Sequence, residues 1–231
     1  MLEVTNVSKC YDALTVLKDL SLSIGDHEIL ALTGPSGCGK TTLLNLISNL
    51  ETPDSGSIRC GAGRISYMFQ NARLLPWRTV YDNIRIVRGD AAPEEVEKLI
   101  AAVGLQGFEN YYPSQLSGGM AKRCALARAF HYKGDLLLMD EPFQGLDYGL
   151  RMEMLSLVLK IRQESKPAVL FVTHEIDEAL TIADSVAVLS DRPSAVKKVF
   201  RLPGENGRDC TDPGLTPIRR EIHSMVSHTQ Q

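Results

Sequence analysis

The sequence lacks the features that mark membrane-spanning, disulfide-rich and zinc-binding chains. No apolar run approaches the roughly 18 residues that cross a bilayer, and the opening residues show no charged segment followed by an apolar one. Its five cysteines are scattered without C-x-x-C spacing, which indicates neither a zinc site nor a disulfide framework and favours a reducing cytoplasm. We therefore expect any role at a membrane to depend on another protein.

The sequence also lacks an excess of either charge. It carries 25 Lys and Arg against 28 Asp and Glu, for a net charge of −3, so no global basic field is available to attract nucleic acid. The chain has 231 residues, of which 44% are hydrophobic, and this is enough for a sizeable core in one large or two small domains.

The most informative segment is residues 34–41, GPSGCGKT, which fits G-x-x-x-x-G-K-[ST] at every fixed position. An apolar run at residues 29–33 predicts a buried strand before it, and residues 42–48 predict a helix after it. In this context the glycines allow backbone N–H groups to point inward at phosphate oxygens, where the helix adds its positive end. The residues expected to contact a nucleotide here are Gly34, Pro35, Ser36, Gly37, Cys38, Gly39, Lys40, Thr41 and Thr42.

Two side chains of this loop have assigned roles in the hypothesis. Lys40 is expected to reach the β and γ phosphates, and the Thr41 hydroxyl is expected to ligate Mg²⁺. Cys38, at a helix N-terminus, is expected to have its thiolate favoured and to be a site of oxidation or alkylation. The alternative is a glycine-rich turn that matches the pattern by chance, and the flanking strand and helix disfavour it.

Polar residues follow three predicted strands of the α/β sheet. Gln70 ends the strand at residues 64–70, Asp140 and Glu141 end the strand at 136–140, and His174 follows the strand at 169–173. Chemistry in such sheets gathers at the carboxyl ends of strands. We expect Gln70 to contact Mg²⁺ or the attacking water, Asp140 to hold Mg²⁺, Glu141 to polarise that water, and His174 to sense the γ-phosphate. Each of these residues could instead be a solvated or structural strand end.

Residues 1–24 alternate apolar and polar residues, which predicts antiparallel β structure at the start of the chain. Tyr11 lies in a loop there and could stack on a purine base, although a lone loop tyrosine more often serves only in packing. Residues 71–133 carry helical spacing and predict an inserted helical subdomain, with an exposed apolar segment, Leu74–Trp77, at its entrance. Residues 116–120, LSGGM, open a helix with Ser117 as its N-cap, an arrangement that leaves N–H groups available to an anion.

These pieces, in this order, resemble the nucleotide-binding subunit of an ABC transporter over essentially the whole chain. The specific part is LSGG between a P-loop and an acid-ended strand. The resemblance implies an A-loop at Tyr11, a Q-loop at Gln70, a D-loop around Asp147 and a switch histidine at His174. It also implies that Ser117, Gly118 and Gly119 cap the ATP bound by a second subunit. Gln144-Gly145 before Leu146-Asp147 departs from the small residues usual in the family.

The fold implied is α/β: a RecA-like P-loop NTPase core, with an N-terminal antiparallel β subdomain and an inserted α-helical subdomain. It forms one domain over 1–231, with the core at 1–70 and 134–200, the helical subdomain at 71–133 and a C-terminal loop and short helix at 201–231. The segments FQNARLLPWRTVYDNI, YPSQLSGGM and DEPFQGLD, with the late Arg219–Ile222, resemble importers of nitrate, sulfonates and taurine.

The partners implied are a second ATPase subunit, making a homodimer, an integral membrane permease, and a periplasmic or lipid-anchored solute-binding protein reached through the permease. Nucleic acid is not expected as a partner, and the location implied is peripheral, on the cytoplasmic face of the cell membrane. Two rival classes are a soluble ABC ATPase acting on DNA or ribosomes and a P-loop kinase. The first usually has coiled-coil inserts or tandem cassettes, and the second gives no role to LSGGM, Gln70 or His174.

Overall fold

A computed structural model describes residues 2–227. The chain opens with an antiparallel three-stranded sheet in the order β2-β1-β4. Its strands are β1 (Leu2–Tyr11), β2 (Leu14–Ile24) and β4 (Ser55–Cys60). Buried and exposed residues alternate over Leu2–Val4 and Leu20–Ile24, because one face of this sheet covers the core and the other faces solvent. Register shifts between Val4 and Cys10 interrupt the alternation that the sequence predicts for β1.

A second, six-stranded sheet has the order β5-β6-β7-β3-β8-β9. Its strands are β3 (Ile29–Thr33), β5 (Ile65–Met68), β6 (Leu136–Asp140), β7 (Ala168–Val172), β8 (Ser185–Leu189) and β9 (Val196–Arg201). The first five strands in this order pair in parallel, and β9 joins β8 antiparallel. Every residue of β3, β6, β7 and β8 is buried, which explains their unbroken apolar sequences.

Seven α-helices cover these sheets within residues 2–227. They are α1 (Lys40–Ile47), α2 (Val80–Arg85), α3 (Pro93–Ala102), α4 (Gly118–His131), α5 (Tyr148–Ser165), α6 (Ile176–Ile182) and α7 (Thr216–Ser227). Three of them, α2, α3 and α4, lie between β5 and β6 in the chain and pack on one another, as the predicted helical insertion requires.

Side-chain caps set where two helices begin. The Ser117 hydroxyl accepts a hydrogen bond from Met120 N at 3.2 Å, and the Asp147 carboxylate accepts one from Leu150 N at 2.9 Å. These caps place the start of α4 at Gly118, as the predicted N-cap Ser117 requires, and the start of α5 at Tyr148.

The segment after β9 corrects one expectation. Residues 203–217 were expected to form an exposed loop, yet Cys210 and Leu215 are only 4% and 2% exposed. The Arg208 guanidinium donates to the carbonyls of Leu180 at 3.0 Å and Ala183 at 2.7 Å, which draws the loop onto α6. No helix within residues 2–227 is long and apolar enough to cross a membrane.

Candidate functional site

The polar strand ends predicted from the sequence lie at one edge of the six-stranded sheet. Because β5, β6, β7 and β3 are neighbouring parallel strands, Gln70, the pair Asp140 and Glu141, His174 and the P-loop follow the carboxyl ends of adjacent strands. The sheet order therefore builds the candidate site from residues that lie far apart in sequence.

The P-loop is packed tightly against the antiparallel sheet. Gly39 has φ of 113°, and a β-carbon there would lie 2.7 Å from Val16 Cγ1 and 2.9 Å from Leu17 Cδ2. Only glycine combines this left-handed conformation with so close an approach. The loop is thereby held in one shape at the start of α1, where the helix presents free N–H groups to an anion.

The Lys40 ammonium lies inside the P-loop and is 7% exposed. It donates to the carbonyls of Gly34 and Pro35, both at 2.9 Å, while its third approach, to Cys38 Sγ, is a long 4.0 Å. An ammonium has three donors. Two therefore fix the side chain, and the third is available to a phosphate oxygen at little cost.

The two residues expected to bind Mg²⁺ through oxygen are already in contact. Thr41 Oγ1 donates to Asp140 Oδ2 at 2.8 Å. Asp140 is 5% exposed, and burial raises the pKa of its carboxyl above the usual range, although the bond from Thr41 opposes this. A cation would offset that cost, so a hydroxyl and a carboxylate on adjacent elements fit a hard divalent ion. Within residues 2–227 no cluster of three or more His, Cys, Asp or Glu side chains could hold a metal ion by itself.

Glu141 and His174 face each other across the ends of β6 and β7. His174 Nδ1 lies 3.4 Å from Glu141 Oε2, and Glu141 N donates to Val172 O at 3.1 Å. The Glu141 backbone has φ of 43°, a left-handed conformation that is uncommon for a residue with a side chain. The residues that the sequence predicts as a general base and a phosphate sensor therefore lie side by side, with Glu141 in an uncommon backbone conformation.

A buried polar network behind His174 was not predicted. Glu178 is 3% exposed, Thr173 Oγ1 donates to its Oε2 at 2.5 Å, and Arg151 Nε lies 3.5 Å from its Oε1. Arg151 also pairs with Glu175 at 3.0 Å. The sequence pattern assigned the helix that carries Arg151 only to the core, since nothing in helical periodicity marks a long-range ion pair.

This network gives a testable pH dependence. Burial raises the pKa of Glu178 in the folded protein, which opposes the lowering by Thr173 and Arg151. The folded state therefore holds this proton more tightly than the unfolded state, and stability is lost as pH rises from the unfolded pKa through the folded one. We expect Glu178→Gln to raise the unfolding temperature at pH 8 by roughly 2–4 °C, for a gain of about 1 kcal/mol.

The gain should shrink as the pH falls, because wild-type Glu178 then takes up its proton. Arg151 keeps its pair with Glu175 in the variant, so no buried cation is left alone. Differential scanning fluorimetry between pH 5 and 8 measures the effect, with Glu205→Gln on the exposed C-terminal loop as the matched control. A drop in unfolding temperature at pH 8 would show that the Arg151 ion pair outweighs the burial of Glu178.

Gln70 is joined to the predicted D-loop. Its Nε2 donates to Gln144 Oε1 at 2.7 Å, and the Lys122 ammonium of α4 donates to the backbone carbonyl of Gln144. A β-carbon at Gly119, in the LSGGM segment, would lie 3.0 Å from Leu150 Cδ2 at the start of α5. Gln144 thus connects the Q-loop with α4. It is also a residue that departs from the family pattern.

Tyr11 stands at the end of β1 and remains available for stacking. Its ring is 41% exposed, its hydroxyl donates to Glu51, and the Lys9 ammonium lies 5.5 Å from the ring centroid. Glu51 fixes the ring by its edge and leaves a face free. The sequence did not mark Glu51 as a site residue, because there it was only one residue of a predicted turn.

The expectation for Cys38 is wrong. The side chain is only 2% exposed, and burial raises the pKa of its thiol, which outweighs the lowering by the Lys40 ammonium. A β-carbon at Gly34 would lie 3.3 Å from Cys38 Sγ, so the sulfur packs beneath the loop. The helix N-terminus cannot favour a thiolate that solvent does not reach, and Cys38 is a packing residue of the P-loop.

Trp77 is exposed, in agreement with the prediction. Its side chain is 69% exposed, more than any other large hydrophobic side chain within residues 2–227. The segment beneath it is rigid because the buried Asn83 accepts from Leu75 N at 2.7 Å and donates to Leu75 O at 3.2 Å and to Arg78 O at 3.0 Å. The tryptophan is therefore held outward instead of packing into the helical insertion.

The structure brings together some predicted residues and not others. Thr41 contacts Asp140, Glu141 contacts His174 at the next strand end, and Lys40 is held by carbonyls of the P-loop. Ser117 bonds within its own helix, and within residues 2–227 no hydrogen bond joins it to the P-loop. Contact of the LSGGM segment with a nucleotide therefore stays a prediction.

Comparison with known proteins supports this assignment. The family model described as ABC transporter matches residues 17–144. The aliphatic sulfonates import ATP-binding protein SsuB 2 of Pseudomonas syringae pv. tomato is 40% identical over 223 residues, covering 96% of each chain. An uncharacterized ABC transporter ATP-binding protein of Methanocaldococcus jannaschii is 39% identical and covers 97% of this chain and 91% of its own.

Solved structures agree with the fold. The ATP-binding cassette MJ0796, in a dimeric post-hydrolysis state bound to ADP and Pi, has a TM-score of 0.79 and 27% identity over 88% of this chain and 100% of its own. A second dimeric structure of the same cassette has a TM-score of 0.78 and 29% identity over the same shares.

The two sheets, the P-loop and the acid-ended β6 define a P-loop ATPase of the cassette type. The chain belongs to the ABC transporter family. It is an ATP-binding and ATP-hydrolysing subunit, and the predicted α/β fold, with an antiparallel β portion and a helical insertion, is confirmed.

Proposed function

We propose that this chain energises the import of a small sulfonate, or of a related solute such as taurine or nitrate, through a separate permease. The observation that carries the ATPase part is the contact of Thr41 with Asp140 beside the pair of Glu141 and His174. The solute class is supported by the similarity to aliphatic sulfonate importers, which extends over 96% of the chain.

In the proposed mechanism each residue acts where the strand ends hold it. Lys40 donates to the β and γ phosphates with the N–H group that the loop carbonyls leave free. Glu141 accepts a proton from the water that attacks the γ-phosphate, and His174, 3.4 Å from Glu141, contacts the phosphate being released. Tyr11 stacks on the adenine base.

Mg²⁺ fits the oxygen ligands at this site. Thr41, Asp140 and Gln70 would hold it, and the bound ion supplies charge neutralisation at the β and γ phosphates. Gln70 is bonded to Gln144 in this structure, so its amide must exchange that partner before it reaches the ion.

A second copy of the chain completes the site. The residues that lie apart from the P-loop of their own chain are Ser117, Gly118, Gly119 and Asp147. In the proposal they contact the nucleotide bound by the partner subunit. The dimeric state of the solved relative MJ0796 supports this arrangement. ATP then joins two subunits, and loss of the γ-phosphate separates them.

The remaining partners follow from the same proposal. The chain sits peripherally at the cytoplasmic face of the cell membrane, on a permease that receives solute from a periplasmic or lipid-anchored binding protein. The helical subdomain, residues 71–133, faces that permease. The nucleotide is held by the core, residues 1–70 and 134–200. The C-terminal loop and short helix are assigned to residues 201–231. Residues 228–231 lie outside the described structure.

The test is reconstitution in proteoliposomes with the permease and binding protein encoded beside this gene. We expect ATP hydrolysis to rise on addition of an alkanesulfonate, taurine or nitrate, and Lys40→Ala to abolish it. ATPase activity that responds to DNA, ribosomes or a phosphoryl acceptor, and to no solute, would contradict the proposal and favour one of the rival classes.

A further inference from the structure

One segment beside the P-loop has no role in the mechanism above. The turn between β8 and β9, residues 190–195, lies against the outside of the phosphate loop. A β-carbon at Gly34 would lie 3.0 Å from Leu189 Cβ, at the end of β8. Because the strand end contacts the loop directly, the turn that follows cannot move far from it.

The turn is anchored on two sides. Ser194 is fully buried, its N–H donates to Val16 O at 2.8 Å, and its carbonyl accepts from Lys18 N at 3.0 Å. Its hydroxyl donates to Ser190 O at 3.0 Å, which closes the turn on itself. Val16 also packs against the loop at Gly39, so this turn and the P-loop share one support.

The turn places a guanidinium on the phosphate loop. A β-carbon at Gly37 would lie 2.7 Å from an Nη of Arg192 and 3.8 Å from its Cζ, so the group touches the loop backbone. Gly37 has φ of 72°, at the bend whose N–H groups turn toward the α and β phosphates. Arg192 is exposed, and within residues 2–227 it makes no hydrogen bond or ion pair, not even with its sequence neighbour Asp191.

The contact with Gly37 is what places Arg192 at the loop. Within residues 2–227 its guanidinium bonds to no carbonyl or carboxylate, unlike that of Arg128, which donates to the carbonyls of Ala72 at 2.8 Å and Arg73 at 2.9 Å. A cation beside the bend adds to the positive potential of the loop N–H groups and of Lys40.

We propose that Arg192 is an additional cationic residue of the nucleotide site, which strengthens binding of nucleoside di- and triphosphates from behind the P-loop. The proposal rests on the function proposed above. It adds to the nucleotide site a positive charge that lies outside the P-loop motif. Because its guanidinium contacts the loop that cradles the α and β phosphates, it should act similarly on ATP and ADP and less on AMP, which lacks the β phosphate and carries less charge.

The experiment is calorimetric titration of the purified full chain with ATP, ADP and AMP at low and high NaCl concentration. We expect Arg192→Gln to weaken ATP and ADP binding roughly three- to tenfold at low salt, with a smaller loss at high salt because a partly exposed charge is screened. Arg192→Lys should restore part of the affinity, and Asp191→Asn should not weaken it.

Two controls separate this inference from the proposed function. Arg220→Gln makes the same change of charge on exposed α7 and should leave the affinities unchanged. Lys40→Ala should abolish ATP binding whatever the role of Arg192. Unchanged ATP and ADP affinities for Arg192→Gln would overturn this inference and leave the proposed function standing. A variant that loses only ATP-dependent dimerisation would have the same meaning. A lower unfolding temperature of the nucleotide-free variant would assign Arg192 a structural role instead.

Discussion

Replacing Glu141 with glutamine is expected to slow ATP hydrolysis by roughly a hundredfold or more while leaving ATP binding intact. The amide keeps the shape of the side chain and can still contact His174, but it cannot accept the proton of the attacking water. The P-loop contacts of Lys40 and Thr41 are unaffected. ATP should therefore remain uncleaved between two subunits, and an ATP-dependent dimer should accumulate in light-scattering measurements.

The matched control is Glu205→Gln, which makes the same chemical change on the exposed C-terminal loop. It should hydrolyse ATP at the parental rate and remain in the parental monomer–dimer equilibrium. If Glu141→Gln also hydrolyses ATP at the parental rate, Glu141 is not the general base and the assignment of this site must be changed.

Replacing Trp77 with alanine is expected to remove coupling to the permease without affecting the isolated subunit. The side chain is 69% exposed, so its loss leaves no cavity in the core. A core tryptophan would cost about 3–5 kcal/mol on the same substitution. Exposed aromatic side chains held on a rigid segment are typical anchors of protein interfaces. The unfolding temperature and basal ATPase should stay near parental, whereas solute-stimulated hydrolysis should be lost.

Val199→Ala is a suitable control, because Val199 is 47% exposed on β9 and lies far along the chain from the helical insertion. It should leave both basal and stimulated ATPase unchanged. Full solute stimulation in Trp77→Ala proteoliposomes would show that the permease docks elsewhere.

The elements of this fold were largely predictable because their signals are local. The buried strands are unbroken apolar runs, the P-loop has fixed spacing, and the helical insertion has apolar periodicity. The start of α4 was predictable from Ser117, whereas Asp147, the N-cap of α5, lies outside the periodic pattern of its helix.

What the sequence could not provide is the pairing of side chains from distant segments. The burial of Cys38 depends on Leu189 and the turn after it, which reach the P-loop only through the parallel pairing of β3 and β8. The partnership of Arg151 with Glu178 depends in the same way on packing of α5 against α6. Charge and periodicity do not reveal such pairs before the fold is known.

The bond between Gln70 and Gln144 has a consequence for communication between the two nucleotides of a dimer. Gln144 is also held by Lys122 of the helix that begins after Ser117. If Gln70 leaves Gln144 to approach its own nucleotide, the constraint on that helix changes, and in the proposed dimer that helix faces the nucleotide of the other subunit. Each subunit would then report its own loading state to its partner through a single glutamine, so the two hydrolysis events would be coupled in time.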